Sequence, residues 1–286
     1  MGAISSLFGY MLNFLYNLVN NYGIAIILFT ILLRVILIPI TIIQQKSTKA
    51  NTRMQEKMRE IERKYKNNPE KLNQETIDLY KSEKLNPFTG CLVSILQIVI
   101  ILSVFWVVSK PLTYMKKVDA DLINTYTQEM KEEGTNVTYP EIAIIQRKAN
   151  EDENVYINMD FLGLDLSKVP GQNLKDPKVY IIPILYVLTS ILSIKLTNTT
   201  QTKKKNEVEI LENGEKAKSD ADETMESMEQ MTKSMNYMVP IMSISIAFIA
   251  PLGLALYWFV SNLVMIIERL IIDKFFNKDK EKKENA

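Results

Sequence analysis

The sequence predicts an all-α polytopic membrane protein with five transmembrane helices. Apolar residues are concentrated in a few long blocks, and charged residues lie between the blocks. Several blocks approach the length of about 20 residues that a helix needs to cross a bilayer. The averages over 286 residues, 47% hydrophobic with a net charge of +1, conceal this alternation. Composition by itself therefore names no partner.

Residues 1–23 are predicted to form an external amphipathic helix that lies in the membrane interface. Apolar side chains recur there at helical spacing and are expected on one face. They are Leu7, Phe8, Met11, Leu12, Leu15 and Leu18. No Lys or Arg precedes Arg34, so no cleavable signal peptide is expected.

The five predicted spans are residues 24–43, 91–110, 178–197, 235–251 and 252–272. The last two form one apolar run of nearly 40 residues, which is too long for a single crossing and is divided by the sequence APLG. The mixed, acidic segment 111–177 is predicted to form an external loop.

Three polar segments are predicted to be cytoplasmic: a helical hairpin at 44–90, a loop at 198–234 and a Lys-rich tail at 273–286. The hairpin carries eleven Lys/Arg against seven Asp/Glu, and the loop contains three consecutive lysines. Because Lys and Arg accumulate on the cytoplasmic side, this asymmetry predicts an external N-terminus and a cytoplasmic C-terminus. The loop and the tail are expected to lack regular structure.

Arg34 lies in the middle of the first predicted span, roughly 15 Å deep at 1.5 Å of rise per residue. An arginine at that depth costs about 3 kcal/mol or more, and it cannot escape by losing its proton. The only acidic residue in a predicted span, Glu268, is offset by roughly 9 Å along the membrane normal. Arg34 is therefore expected to lack a permanent internal partner and to accept a transient anionic guest. The alternative is a structural ion pair.

Polar side chains at similar depths in the other spans are predicted to line a wet cavity beside Arg34. They are Gln97, Thr189, Ser243, Ser245 and Asn262. For the serines and the threonine, the alternative is a hydrogen bond to their own backbone or to a neighbouring helix.

No bond chemistry is predicted. No acid or nucleophile stands out at the depth of Arg34, and the chain has no histidine, which removes histidine-based catalysis. Its single cysteine, Cys91, excludes an intrachain disulfide and a cysteine-rich metal site. We predict a protein that is not an enzyme and has no catalytic residue, cofactor or metal ion.

Three motifs occur in order along the chain: KYKNNPEKLNQE, LYKSEKLNPFTGC and LALYWFVSNL, with FLGLDLS before the last. With them, most of the chain resembles the YidC-type insertases of the YidC/Oxa/Alb family. The resemblance implies five spans around a hydrophilic groove that is open to the cytoplasm and to lipid. Arg34 would be the cation of this groove, and Gln97, Trp258 and Asn262 would face or border it. The chain departs from the family where Val93 and Val99 replace frequent prolines.

The resemblance implies an insertase and chaperone in the bacterial plasma membrane that acts without nucleotide. Its partners would be nascent membrane proteins and the lipid bilayer, with the Sec translocon and the ribosome as further candidates and no small-molecule substrate. Two alternatives remain open from the residues alone. One is a small anion channel or transporter that uses Arg34 for selectivity, and the other is a membrane anchor for the hairpin.

Overall fold

The computed structural model describes residues 2–65, 68–82, 87–135, 138–209 and 245–284. The helices are α1 (Gly2–Val19), α2 (Tyr22–Tyr65), α3 (Pro69–Ser82), α4 (Pro87–Ser109), α5 (Ala120–Glu132), α6 (Pro140–Lys148), α7 (Ile181–Glu209) and α8 (Leu252–Glu284). Residues 245–249 are also helical, and a π-helical turn covers Leu112–Lys116. Two short strands, β1 (Asp160–Phe161) and β2 (Leu164–Asp165), pair antiparallel.

Three described helices contain a stretch long and apolar enough to cross a membrane: Tyr22–Gln44 in α2, Pro177–Leu196 leading into α7, and Leu252–Ile272 in α8. They agree closely with three of the predicted spans and support the class of a helical, multi-pass membrane protein. In the second predicted span, the apolar helical stretch is the shorter Ile95–Ser109. Most of the fourth lies outside the described residues, so the number of five stays a prediction.

Two helices continue past their predicted ends. Helix α7 runs through Glu209 into the segment predicted as an unstructured loop, and α8 runs through Glu284 across the predicted tail. Those two expectations were wrong for residues 198–209 and 273–284. Lys, Glu and Gln have high helix propensity, and neither extension contains Gly or Pro, so loss of hydrophobicity marks the end of a span without ending the helix.

The chain falls into two compact units. One comprises residues in the ranges Met1–Ile36, Val99–Gln201 and Met238–Ala286, and the other comprises residues in Leu37–Ile98 and Thr202–Tyr237. The boundary in α2 falls close to Pro39, which cannot donate a hydrogen bond to the carbonyl one turn earlier. In the second unit, the Tyr65 hydroxyl donates to the Glu75 carboxylate at 3.0 Å and joins the end of α2 to α3.

Helix α1 has two apolar faces. Phe8, Leu12 and Tyr16 are buried, and the ring of Phe8 meets the edge of Phe29 in α2 at 5.9 Å. A second stripe, made of Leu7, Tyr10, Phe14 and Leu18, is exposed. Of the predicted apolar residues, Phe8 and Leu12 pack on protein, whereas Leu7 and Leu18 are exposed. The position of this helix in the membrane interface stays a prediction.

The β-hairpin sets the start of α8. Leu162 and Gly163 both have positive φ, 54° and 77°, as a two-residue type I′ turn requires. Downstream of the hairpin, the carbonyls of Leu166 and Lys168 accept from the backbone N–H groups of Gly253 and Leu252 at 3.0 and 2.9 Å. Two N–H groups that have no acceptor within α8 are satisfied in this way, which fixes where the last span begins.

Candidate functional site: the polar cluster around Arg34

Helix α8 presents polar side chains on two faces. Tyr257, Ser261 and Glu268 follow one another at spacings of four and seven residues, so they share one face of the helix. Trp258 and Asn262 are each one residue further along, and a step of one residue turns the side chain by about 100°. The two sets therefore face different neighbouring helices.

The first face of α8 meets Arg34 of α2. The Arg34 guanidinium donates through Nη2 to the Ser261 hydroxyl at 2.7 Å, and its Nη1 lies 3.7 Å from Glu268 Oε2. The two charged side chains are only 18% and 9% exposed. The phenol of Tyr257, four residues before Ser261 on the same face, is also buried. Arg34 thus sits in a polar cluster inside otherwise apolar helices.

The contact with Glu268 corrects the expectation that Arg34 has no internal partner. The expected offset between Arg34 and Glu268 along the membrane normal was derived from helical rise alone. A long arginine side chain can extend along its helix toward a polar group. In this structure the Arg34 side chain extends far enough for its guanidinium to approach the Glu268 carboxylate. The distance between the two backbones along the helix axis therefore does not decide whether the charged groups meet.

The second face of α8 meets α7. The Asn262 side-chain amide donates to the Ser190 hydroxyl at 2.8 Å, and the rings of Trp258 and Tyr186 stack with centroids 5.9 Å apart. The Thr189 hydroxyl donates only within its own helix, to the carbonyls of Leu185 and Tyr186 at 3.0 and 2.9 Å. Thr189 therefore follows the backbone-bonded alternative, whereas Asn262 joins two helices.

Three further residues were predicted to line the site. Gln97 is half-buried on α4 and belongs to the other compact unit. Ser243 lies outside the described residues, and Ser245 is exposed. The structure therefore brings Arg34, Trp258 and Asn262 into one unit, around α8.

The residues missed from the sequence are Ser261, Tyr257, Ser190 and Tyr186. Serine and tyrosine are common in membrane helices, so their type carries little signal. Ser261 and Glu268 are seven residues apart in the sequence, and this spacing predicts that they lie on the same face of α8.

The family described as 60Kd inner membrane protein matches residues 14–281 of this chain. The chain belongs to this family. Three similar proteins are each named membrane protein insertase YidC, from Treponema denticola, Caldanaerobacter subterraneus and Fusobacterium nucleatum. The identities are 27%, 28% and 28%, over 94%, 95% and 93% of this chain. The chain spans 37% of the length of the first relative, but 94% and 92% of the other two.

The match confirms the resemblance to YidC-type insertases that the motifs indicated. It covers the three apolar spans and the polar cluster in full. The relatives are named for insertion and not for a catalysed reaction, in agreement with the prediction of a protein that is not an enzyme.

In this member of the 60Kd inner membrane protein family, a buried carboxylate joins α6 to the turn that follows α4. Glu141, near the start of α6, is 4% exposed and accepts from the backbone N–H and the hydroxyl of Thr113 at 2.9 and 2.6 Å. Burial raises the pKa of Glu141, and the bonds from Thr113 act in the opposite direction. The carboxylate thus fastens α6 to the π-helical turn that follows α4.

An ion pair between Lys168 and Asp176 lies beside the start of α8. Lys168 Nζ lies 2.7 Å from Asp176 Oδ2. Their hydrogen bond lowers the pKa of Asp176 and raises the pKa of Lys168.

Across the described residues, no group of three or more His, Cys, Asp or Glu side chains is placed to hold a metal ion.

Proposed function

We propose that this protein inserts newly synthesised membrane proteins into the bacterial membrane and assists their folding. The observation that carries the proposal is a cationic side chain, Arg34, held inside an apolar span in a chain whose relatives are named as insertases. A charge at that depth costs about 3 kcal/mol or more, so its presence calls for a role that uses it.

The role of Arg34 is to lower the barrier that a polar segment of the client must cross. A tail that carries carboxylates loses its hydration when it enters hydrocarbon, and a fixed positive charge with nearby hydroxyl groups replaces part of it. The Ser261 hydroxyl, which accepts from the guanidinium, and the Tyr257 hydroxyl on the same face of α8 supply such groups. An acidic tail is therefore attracted to this depth, while an apolar client helix remains free to move into lipid.

In the proposed arrangement, five spans surround a hydrophilic groove that is open to the cytoplasm and to lipid. Arg34, Gln97, Trp258 and Asn262 face or border the groove, and Thr189 and Ser243 contribute to its wall. Support comes from Arg34, Trp258 and Asn262, which lie within one compact unit and around one helix. Tryptophan and asparagine provide an apolar and a polar surface, as a passing segment of mixed character requires.

The asymmetry of Lys and Arg supports an external N-terminus and a cytoplasmic C-terminus. In this orientation the hairpin of 44–90 meets clients on the cytoplasmic side, and the exposed stripe of α1 lies in the outer interface. The driving force is transfer of the client's apolar helix into lipid, together with the membrane potential acting on its negative tail. Nascent membrane proteins and lipid are the partners, and the ribosome and a Sec translocon are candidate further partners.

Photo-crosslinking during synthesis of a client tests the groove. A photoreactive amino acid is placed at Trp258 in the full-length chain, and a single-span client with an acidic N-terminal tail is translated in the presence of membranes. We expect adducts while the nascent chain is short and their loss once it is integrated. A matched reporter at Leu162, which is 88% exposed on the external hairpin, should give no early adduct.

Early adducts of equal yield at both positions would contradict a passage site at Trp258. Absence of adducts at Trp258, combined with anion currents in reconstituted bilayers, would favour the channel alternative.

Replacement of the cation tests its role. We expect Arg34→Gln to lower the insertion of a client with an acidic tail by about threefold to tenfold relative to a client with an Asn-containing tail, because a partly buried charge pair is lost. Arg34→Lys should retain most of the preference. Arg147→Gln, which removes a cation from an external ion pair, is the control. An equal decrease for both clients would indicate a structural role for Arg34.

A further inference from the structure

Glu268 is a buried charged group that the proposed function does not use. It lies on the face of α8 that meets Arg34, and it is 8% exposed. Neither of its carboxylate oxygens has a hydrogen-bond partner among the described residues. Buried carboxylates are normally satisfied by several donors, so this arrangement requires an explanation.

The contact between Glu268 and Arg34 is loose. The charged atoms lie 3.7 Å apart, beyond hydrogen-bonding distance, and a single nitrogen faces a single oxygen. Two external ion pairs of the same chain, Lys168–Asp176 and Arg147–Glu133, are much shorter, at 2.7 and 2.9 Å. A short bidentate pair is the strong geometry for an arginine and a carboxylate.

Arg34 also donates a hydrogen bond to a residue other than Glu268. Its other terminal nitrogen donates to Ser261 at 2.7 Å, a contact well within hydrogen-bonding distance. The neutral hydroxyl of Ser261 therefore orients the guanidinium. The Glu268 carboxylate neutralises its charge without a hydrogen bond to it. A second carboxylate that reaches hydrogen-bonding distance would compete successfully with Glu268 for the same cation.

We propose that Glu268 is an internal competitor for Arg34 and determines which client tails the site accepts. This inference rests on the proposed insertase function. In the protein without a client, Glu268 neutralises the charge of Arg34 but accepts no hydrogen bond from it. A client carboxylate must displace this interaction, and Glu268 then stands close to the newly bound negative charge.

Two consequences follow for specificity. An acidic tail gains its contact with Arg34 but meets repulsion from Glu268, which limits its advantage over a neutral tail and favours its release. A tail with a lysine or arginine meets Arg34 as a like charge, but Glu268 offers it a partner at the same depth. The pair therefore broadens the range of tails that can enter.

The test uses the full-length protein reconstituted into liposomes of neutral phospholipid, with three single-span clients synthesised in vitro. The clients differ only in two tail positions, which are both Asp, both Asn or both Lys. The decisive variant is Glu268→Gln, which preserves the shape of the side chain and removes its charge. Glu133→Gln makes the same change in an exposed external ion pair and serves as the matched control.

We expect Glu268→Gln to raise the insertion ratio of the Asp client to the Asn client by about two- to fivefold, because water that enters the site with the client tail screens the repulsion between the carboxylates. The ratio of the Lys client to the Asn client should fall by a similar factor. Glu133→Gln should leave both ratios unchanged. The melting temperature of each purified variant is measured in parallel, so that a loss of folded protein is scored separately.

Equal changes for all three clients in Glu268→Gln would overturn the proposal and assign Glu268 a structural role. An increased ratio for the Lys client would overturn it as well. If the wild-type protein inserts clients and Arg34→Gln abolishes the Asp preference while Glu268→Gln leaves both ratios unchanged, only this inference fails. If the wild-type protein inserts none of the clients, the proposed function itself fails.

Discussion

Substitution of Glu141 tests how α6 is held to the π-helical turn that follows α4. Replacement by Ala leaves the backbone N–H and the hydroxyl of Thr113 without their acceptor in a buried position. Two buried donors that lose a charged acceptor correspond to about 2–4 kcal/mol, or a decrease in melting temperature of roughly 5–10 °C for a chain of this size. Glu141→Gln keeps one oxygen acceptor and should cost about 1 kcal/mol.

The pH dependence separates the charge from the hydrogen bonds. Burial raises the pKa of Glu141 in the folded protein above the value of about 4.3 that a glutamate has in an unfolded chain. Its contribution to stability is therefore complete below the unfolded pKa and is lost as the pH rises through the folded pKa. Gln at this position is neutral at every pH. The melting temperature of the wild type minus that of Glu141→Gln should therefore decrease between pH 5 and pH 8.

The assay is thermal unfolding of the detergent-purified full chain, followed by intrinsic fluorescence at several pH values. Taking the difference between two proteins removes the contributions of Asp152 and Asp176, whose lowered pKa values act in the opposite direction. Glu133→Gln, in an exposed ion pair, should change the melting temperature little at any pH. A difference between wild type and Glu141→Gln that stays constant from pH 5 to pH 8 would refute this account of Glu141.

Two further substitutions test the packing of α1 and the polar face of α8. Gly9→Ala should destabilise the protein by about 1–3 kcal/mol, because the added Cβ would meet the backbone carbonyl of Tyr114, whereas Gly2→Ala has nothing within 4 Å. Equal melting temperatures for the two variants would contradict this packing. Asn262→Leu removes one hydrogen bond to α7 and should lower client insertion roughly fivefold, with about 1 kcal/mol lost in stability. Asn154→Leu, a change at an exposed position, should insert clients like the wild type. If both variants insert clients equally well, Asn262 has no role in the proposed groove.

The apolar spans were predictable because a bilayer requires a long, continuous run of apolar residues whatever the rest of the chain does. Two of the three predicted spans that the structure supports differ from the observed stretches by one or two residues at each end, and the last, 252–272, coincides with the observed stretch. The ends of the helices were not predictable in the same way. Helices α7 and α8 continue into polar sequence, where helix propensity and not hydrophobicity decides the boundary.

Within the candidate site, Arg34 was recognisable from sequence because a charge in an apolar run is rare and expensive. Asn262 and Trp258 were also identified, and the structure places both against α7. Ser261 was not identified, because a serine at that depth usually bonds to its own backbone and only its position relative to Arg34 distinguishes it.

The sequence by itself determined the class of the protein, the presence of a charge within an apolar span and the family, since each depends on residue type and order along one chain. The partner of Arg34 was decided only by the tertiary structure. Whether Glu268 and Ser261 meet the guanidinium depends on the rotation of α8 about its axis and on the reach of a long side chain. Both are set by packing between two helices whose contacting residues, Arg34 and Ser261, are 227 positions apart in sequence.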